Sequence, residues 1–123
     1  MSTYQLFEQV SLPTTTDLST SQYYAVAMDS NGAAVIATAA KNIAGILQNT
    51  PKGTGEAASV GVRGKTRAAI TDSIVAIGAP LEVASGGTLV NHASGVVVAL
   101  ADETGTTGQV ISVTLLTSAA LMA

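Results

Sequence analysis

The chain has 123 residues and a net charge of −3, and only 11% of its residues are charged although 47% are hydrophobic. The length suits one domain. The charged fraction lies well below the roughly 25% typical of soluble domains, which indicates that much of the surface contacts other protein. The absence of cysteine excludes disulfides, thiolate metal sites and thiol catalysis. The mild negative charge argues against nucleic acid as a partner, and no apolar run approaches the ~20 residues of a membrane helix.

Residues 1–22 are rich in Ser and Thr and show little periodicity, which predicts an extended N-terminal arm. Its apolar residues could anchor it on a partner; as candidate contacts we take Tyr4, Leu6, Phe7 and Val10. A strand paired with the rest of the domain is an equally open interpretation of this arm. The first residues lack a basic region followed by an apolar stretch, so we expect synthesis in the cytoplasm without a signal peptide.

The first half of residues 23–123 shows short alternating segments separated by turn residues. Alternation over 24–28 predicts a strand, and Asp29-Ser30-Asn31-Gly32 predicts the turn of a hairpin that returns over 33–38. A short apolar strand follows over 43–47. A long strand over 58–70 is predicted to break at Gly64.

The second half shows the same pattern of short segments separated by turn residues. The sequence predicts a short apolar segment over 74–77 and a hairpin of 81–84 with 88–90. The nearly continuous apolar run 96–101 predicts a central strand covered on both faces, and 109–117 predicts the last strand. Turns about every ten residues favour an all-β fold, a small barrel or sandwich of short antiparallel strands, as a single domain over 23–123.

The two halves also resemble each other. A hairpin around residues 29–32 is followed by an apolar strand, a Gly/Thr loop and Ser59-Val60-x-Val62. A hairpin around 85–87 is followed by the same succession, which ends in Ser112-Val113-x-Leu115. A repeat of this length predicts a fold built of two related β-halves.

No residue pattern indicates catalysis, a metal or a cofactor. His92 is the only histidine, whereas a zinc site needs several ligands at suitable spacing. Asp102-Glu103 begins a Gly/Thr loop, where Asp is an ordinary turn residue. We therefore expect no enzyme activity, no catalytic residues and no cofactor.

Three basic residues occupy alternate positions in the long strand: Arg63, Lys65 and Arg67. They form either a solvated face of the sheet or a stripe that binds an acidic partner, since the planar guanidinium of Arg can bind both oxygens of a carboxylate.

Four segments resemble the small capsid decoration, or cement, proteins of tailed bacteriophages, and the likeness extends over about residues 23–117. These segments are Tyr24-Ala-Val-Ala-Met-Asp-x-x-Gly32, Ile43-Ala-Gly-Ile-Leu47, Gly55…Val60-x-Val62-x-Gly64 and Gly108-Gln-Val-Ile-Ser-Val-Thr-Leu115.

The resemblance implies a β-rich protomer, usually a homotrimer, on the capsid exterior of the virion. Such a protein binds the major capsid protein at subunit junctions and stabilises the expanded head. The alternative function is a surface carbohydrate-binding or host-attachment β-module. The low aromatic content, 3%, counts against it because sugar sites usually stack on exposed aromatic rings.

Overall fold

Every element of the computed structural model is a β-strand, which confirms the predicted all-β class. The structure describes residues 7–37, 43–72, 74–84, 86–93 and 97–116. Within them the strands are β1 (Phe7–Pro13), β2 (Ala25–Met28), β3 (Ala34–Ile36), β4 (Ile43–Leu47), β5 (Ala57–Ala69), β6 (Pro80–Val83), β7 (Leu89–Asn91), β8 (Ala99–Ala101) and β9 (Val110–Leu115). These strands form one curled antiparallel sheet in the order β3-β2-β4-β5-β9-β8-β6-β7, and β1 pairs with β5 outside that path.

The first hairpin forms where the turn chemistry predicts it. The Asp29 carboxylate accepts hydrogen bonds from the backbone N–H groups of Asn31 and Ala33, each at 2.9 Å. Gly32 has a φ of +81°, a conformation that costs glycine little. The turn therefore closes with local interactions alone, and β2 and β3 pair through Val26–Ile36 and Met28–Ala34.

The long strand β5 joins the two halves of the sheet. Its first half pairs with β1 and β4, and its second half pairs with β9. β5 runs without interruption from Ala57 to Ala69, so the predicted break of the strand at Gly64 is wrong, although Gly64 has a positive φ of 103°. Next to it the register with β1 shifts between Glu8 and Gln9, as at a β-bulge.

The internal repeat has a structural counterpart, because two successive units share one topology. We define the first unit as residues 7–63 and the second unit as residues 64–116. In each unit a hairpin is followed by two strands, with order β3-β2-β4-β5 in the first and β7-β6-β8-β9 in the second. The pairing register matches as well, since Val26 lies opposite Gly45 as Leu81 lies opposite Ala99.

Loop hydrogen bonds correspond in the same way. Leu18 N–H donates to the Pro51 carbonyl at 2.9 Å, and Val75 N–H donates to the Gly105 carbonyl at 2.8 Å. Tyr23 N–H donates to the Leu47 carbonyl, and in the second unit Gly78 N–H donates to the Ala101 carbonyl, both at 2.7 Å. A parallel bridge between Thr14 and Ala34 likewise corresponds to one between Ile70 and Leu89.

Each unit has its own set of buried apolar residues. One cluster lies in the first unit and contains Leu18, Val26, Ala34, Leu47, Ala58 and Val60. The residues at the corresponding positions of the second unit are Val75, Leu81, Leu89, Ala101, Ile111 and Val113, and all belong to the other cluster. That larger cluster also includes Ala25, Ile43 and Ile46 of the first unit, so one face of the first unit covers the core of the second.

The N-terminal segment contributes to the first unit. β1 runs antiparallel to β5, from Phe7 opposite Gly64 to Pro13 opposite Ala57. Beyond it, the buried Thr14 hydroxyl shares its one hydrogen between the carbonyls of Gly53 (2.6 Å) and Glu56 (2.8 Å). Leu18 is 2% exposed. Residues 1–6 lie outside the described part of the chain.

One sequence interpretation of the second half is wrong, and one apolar segment for which the sequence predicts no element lies outside the strands. The strand within the apolar run 96–101 is central in the sheet, but Leu100 is 39% exposed, so only one face of β8 is covered. The segment 74–77 is not a strand. Its Val75 makes an isolated bridge to Gly105, while Ile74 and Ile77 face solvent at 61% and 68% exposure.

Candidate partner-contact surface

The three basic residues of β5 are divided between two environments. Arg63 lies before Gly64 and beside β1, where its Nη2 contacts Glu8 Oε2 at 2.7 Å. Both side chains are close to half exposed, so the ion pair is worth at most about 1 kcal/mol. The Nε of Arg63 is buried and has no hydrogen-bond partner among the described residues. The internal ion pair leaves Arg63 less suited to an outside carboxylate than the sequence pattern indicates.

Lys65 belongs to the other environment, a polar network across β5, β9 and the end of β8. Its Nζ contacts Asp102 Oδ2 at 3.0 Å and the Thr114 hydroxyl at 3.3 Å. That hydroxyl donates to the same carboxylate at 2.8 Å. The neighbouring Glu103 accepts from the backbone N–H of Ser112 at 2.7 Å. Asp102 and Glu103 therefore hold the loop and the strand together.

Arg67 is the one basic residue of this strand whose guanidinium remains available. It lies opposite Ser112 and is exposed. Within the described part of the chain, no carboxylate lies within 4.0 Å of it. A shallow depression beside it is lined by Lys65, Thr66, Asp102 and Ser112. The arrangement suits a carboxylate from another molecule, which the guanidinium could bind through both oxygens.

Some of the predicted apolar contact residues of the N-terminal segment lie outside the described residues. Tyr4 and Leu6 are not among the described residues, and Phe7 is described only as the first residue of β1. Val10 lies in the middle of β1 and is 44% exposed. It remains available to a partner while its backbone pairs with Val60.

Sequence reasoning missed five further apolar side chains that the structure leaves exposed. They are Met28, Ile74, Ile77, Leu100 and Val110. Ile77 lies next to the polar loop that follows β8, since its N–H donates to the Thr104 hydroxyl at 3.2 Å. The sequence carries a signal for the exposure of Ile74 and Ile77. Gly78 and Pro80 end the segment 74–77, so its large apolar residues do not continue into a strand.

His92 has a structural role. Its Nδ1 lies 3.1 Å from Glu82 Oε1, an oxygen that also accepts from the Ala93 N–H at 2.8 Å. In the described ranges, no three His, Asp or Glu side chains gather as a metal site would require. These ranges also contain no helix with the length and apolar character needed to cross a membrane.

One solved structure gives a clear likeness to this fold. It is the N base of head fiber gp8.5 of bacteriophage phi29, with a TM-score of 0.67 and 14% sequence identity. The match covers 90% of this chain and 95% of that chain, so it includes both units. No protein-family model matches the sequence, and the curated proteins contain no significant match.

Proposed function

We propose that this chain is a non-catalytic structural protein of a bacteriophage virion. It binds the outer surface of the capsid at junctions between major capsid subunits and stabilises the expanded head. The observation that carries the proposal is the likeness, over 90% of the chain, to the base of a phage head fiber. The sequence resemblance to capsid decoration proteins supports the same site of action and a homotrimeric state.

The surface composition supports a protein that completes its burial on assembly. Six large apolar side chains are exposed in the described residues, and Arg67 has no internal carboxylate partner. Protein interfaces are enriched in Arg and depleted of Lys and Glu, so the available guanidinium of Arg67 suits a contact surface. Val10 is exposed, and Arg67 is the exposed cation of β5 with no carboxylate partner among the described residues, so we prefer these two as contact candidates.

The stabilising mechanism is mass action. A ligand that binds the assembled shell but not loosened subunits lowers the free energy of the assembled state relative to the loosened one. At a free concentration 100 times the dissociation constant, each site gains about 2.7 kcal/mol. A trimer that contacts several subunits at once would also gain from effective concentration.

The experiment mixes purified protein with undecorated heads and measures two quantities: co-sedimentation and the temperature at which the heads release DNA. We expect saturable binding and a higher release temperature. Binding with no change in heat resistance would refute the stabilising role. Absence of binding, together with selective signals on a glycan array, would replace the proposal with the carbohydrate-binding alternative.

A further inference from the structure

Among the described residues, two backbone hydrogen bonds outside the strand pairings join the first unit to the second. Ala25 N–H in β2 donates to the Gly87 carbonyl in the turn of the second hairpin, at 2.7 Å. Ala69 N–H at the end of β5 donates to the Tyr23 carbonyl at 3.0 Å. The contact is close, because a Cβ on Gly87 would lie 3.0 Å from the Ala25 carbonyl oxygen.

The repeat assigns a counterpart to each donor in this contact. Ala25 lies opposite Ile46 as Pro80 lies opposite Leu100, so Pro80 occupies the position of Ala25. Ala69 immediately precedes the Ile70–Leu89 bridge as Pro13 precedes the Thr14–Ala34 bridge, so Pro13 occupies the position of Ala69. Both interface donors therefore correspond to proline, which has no N–H.

The acceptors correspond as well, and no described residue donates a backbone hydrogen bond to the counterpart carbonyls. Gly87 corresponds to Gly32, since each closes its hairpin turn through an N–H bond to the residue three positions earlier. No atom lies within 4 Å of a Cβ built on Gly32. Tyr23 corresponds to Gly78, which is exposed and shares its positive φ.

Each copy thus presents, at opposite ends, the two surfaces that pack against each other inside the chain. The second unit exposes Pro80 and Leu100 where the first unit buries Ala25 and Ile46 at 0% exposure. A head-to-tail contact of this kind is heterologous, so its repetition would produce a ring or a fibre.

We propose that Pro13 and Pro80 block end-to-end stacking of copies of this chain through the surfaces that join its two units. Pro80 removes the donor that would bind Gly32 of the next copy, and Pro13 removes the donor that would bind Gly78. Each proline also places ring carbons where the N–H would point, which leaves the opposing carbonyl without a partner in a contact.

The experiment replaces both prolines by alanine, the residue found at both corresponding positions, and measures mass against concentration by sedimentation equilibrium. A backbone hydrogen bond contributes about 1 kcal/mol net, so each restored bond should raise the end-to-end association constant roughly 5-fold, and both together about 30-fold. Each single variant should fall between wild type and the double variant. Pro51→Ala is the control, because Pro51 lies within the first unit and its carbonyl binds Leu18 N–H. It should leave self-association at the wild-type level.

A folded double variant with the wild-type dependence of mass on concentration would overturn the proposal. Circular dichroism and thermal unfolding establish that the variant is folded. If Pro13→Ala/Pro80→Ala does not fold, Pro13→Ser/Pro80→Ser restores the same N–H groups, and the same mass criterion applies to it. Equal gains from Pro51→Ala and the double variant would also overturn the proposal, because the effect would then not depend on the two ends.

Discussion

Replacement of Gly45 by alanine tests how tightly the first unit is packed. Gly45 lies in β4, opposite Val26 of β2. A Cβ at this position would overlap the backbone carbonyl oxygen of Gly61 and lie 2.9 Å from Val60 Cγ1. Gly61 is fixed on both sides, since it pairs with Ile46 of β4 and Gln9 of β1. Relief of the overlap therefore requires backbone movement that disturbs two strand pairings.

Overpacking of a core usually costs 1–3 kcal/mol, and displacement of a paired backbone puts Gly45→Ala at the upper end, about 3 kcal/mol. For a domain of this size each kcal/mol lowers the melting temperature by roughly 4 °C, so we expect a decrease of about 12 °C. Chemical denaturation followed by circular dichroism would give the free energy of unfolding directly. Coincident transitions by a second probe would establish two-state behaviour.

Gly108→Ala is the matched control. Gly108 has a φ of +87°, and no atom lies within 4 Å of its Cβ position, so alanine there meets only the cost of a left-handed backbone, about 1 kcal/mol. A loss of stability at Gly45 no larger than that at Gly108 would refute the reasoning, because the overlap with β5 would then have no energetic consequence.

Three further predictions concern the N-terminal segment and the basic residues. Leu18→Ala should cost about 2–5 kcal/mol because Leu18 is fully packed in the first unit, as denaturant unfolding would show. Thr14→Val should cost about 1 kcal/mol, since the carbonyls of Gly53 and Glu56 lose the hydroxyl hydrogen that they share; a melting temperature equal to wild type would contradict this. Arg67→Ala should change stability by less than about 0.5 kcal/mol and reduce co-sedimentation with undecorated heads. Arg63→Ala, which removes a cation already paired with Glu8, is its control, and an equal loss of binding in both variants would contradict a specific role for Arg67.

The repeat gives these observations a common basis. The two units share topology and register, but they differ in what covers them. The first unit buries Ala25 and Ile46 against the second, while Pro80 and Leu100 at the corresponding positions remain exposed. At these two positions the residues of the two units differ and so do their surroundings.

The sequence alone determined the features that depend on neighbouring residues. The Asp29–Gly32 turn and the strand over 43–47 follow from turn chemistry and alternation, and both are present. The all-β class and the repeat followed from the spacing of these local signals.

Only the tertiary structure decided which apolar faces are covered and which charges are paired. The sequence of an apolar run such as 96–101 does not show whether one or both faces of the strand are buried. The tertiary packing covers Ala99 and Ala101 and leaves Leu100 exposed. The spacing of Arg63, Lys65 and Arg67 makes them equivalent in the sequence. In the structure, however, Arg63 pairs with Glu8 and Lys65 with Asp102, and both carboxylates come from distant parts of the chain. Local pattern specifies strands and turns, whereas burial and pairing depend on segments far apart in sequence.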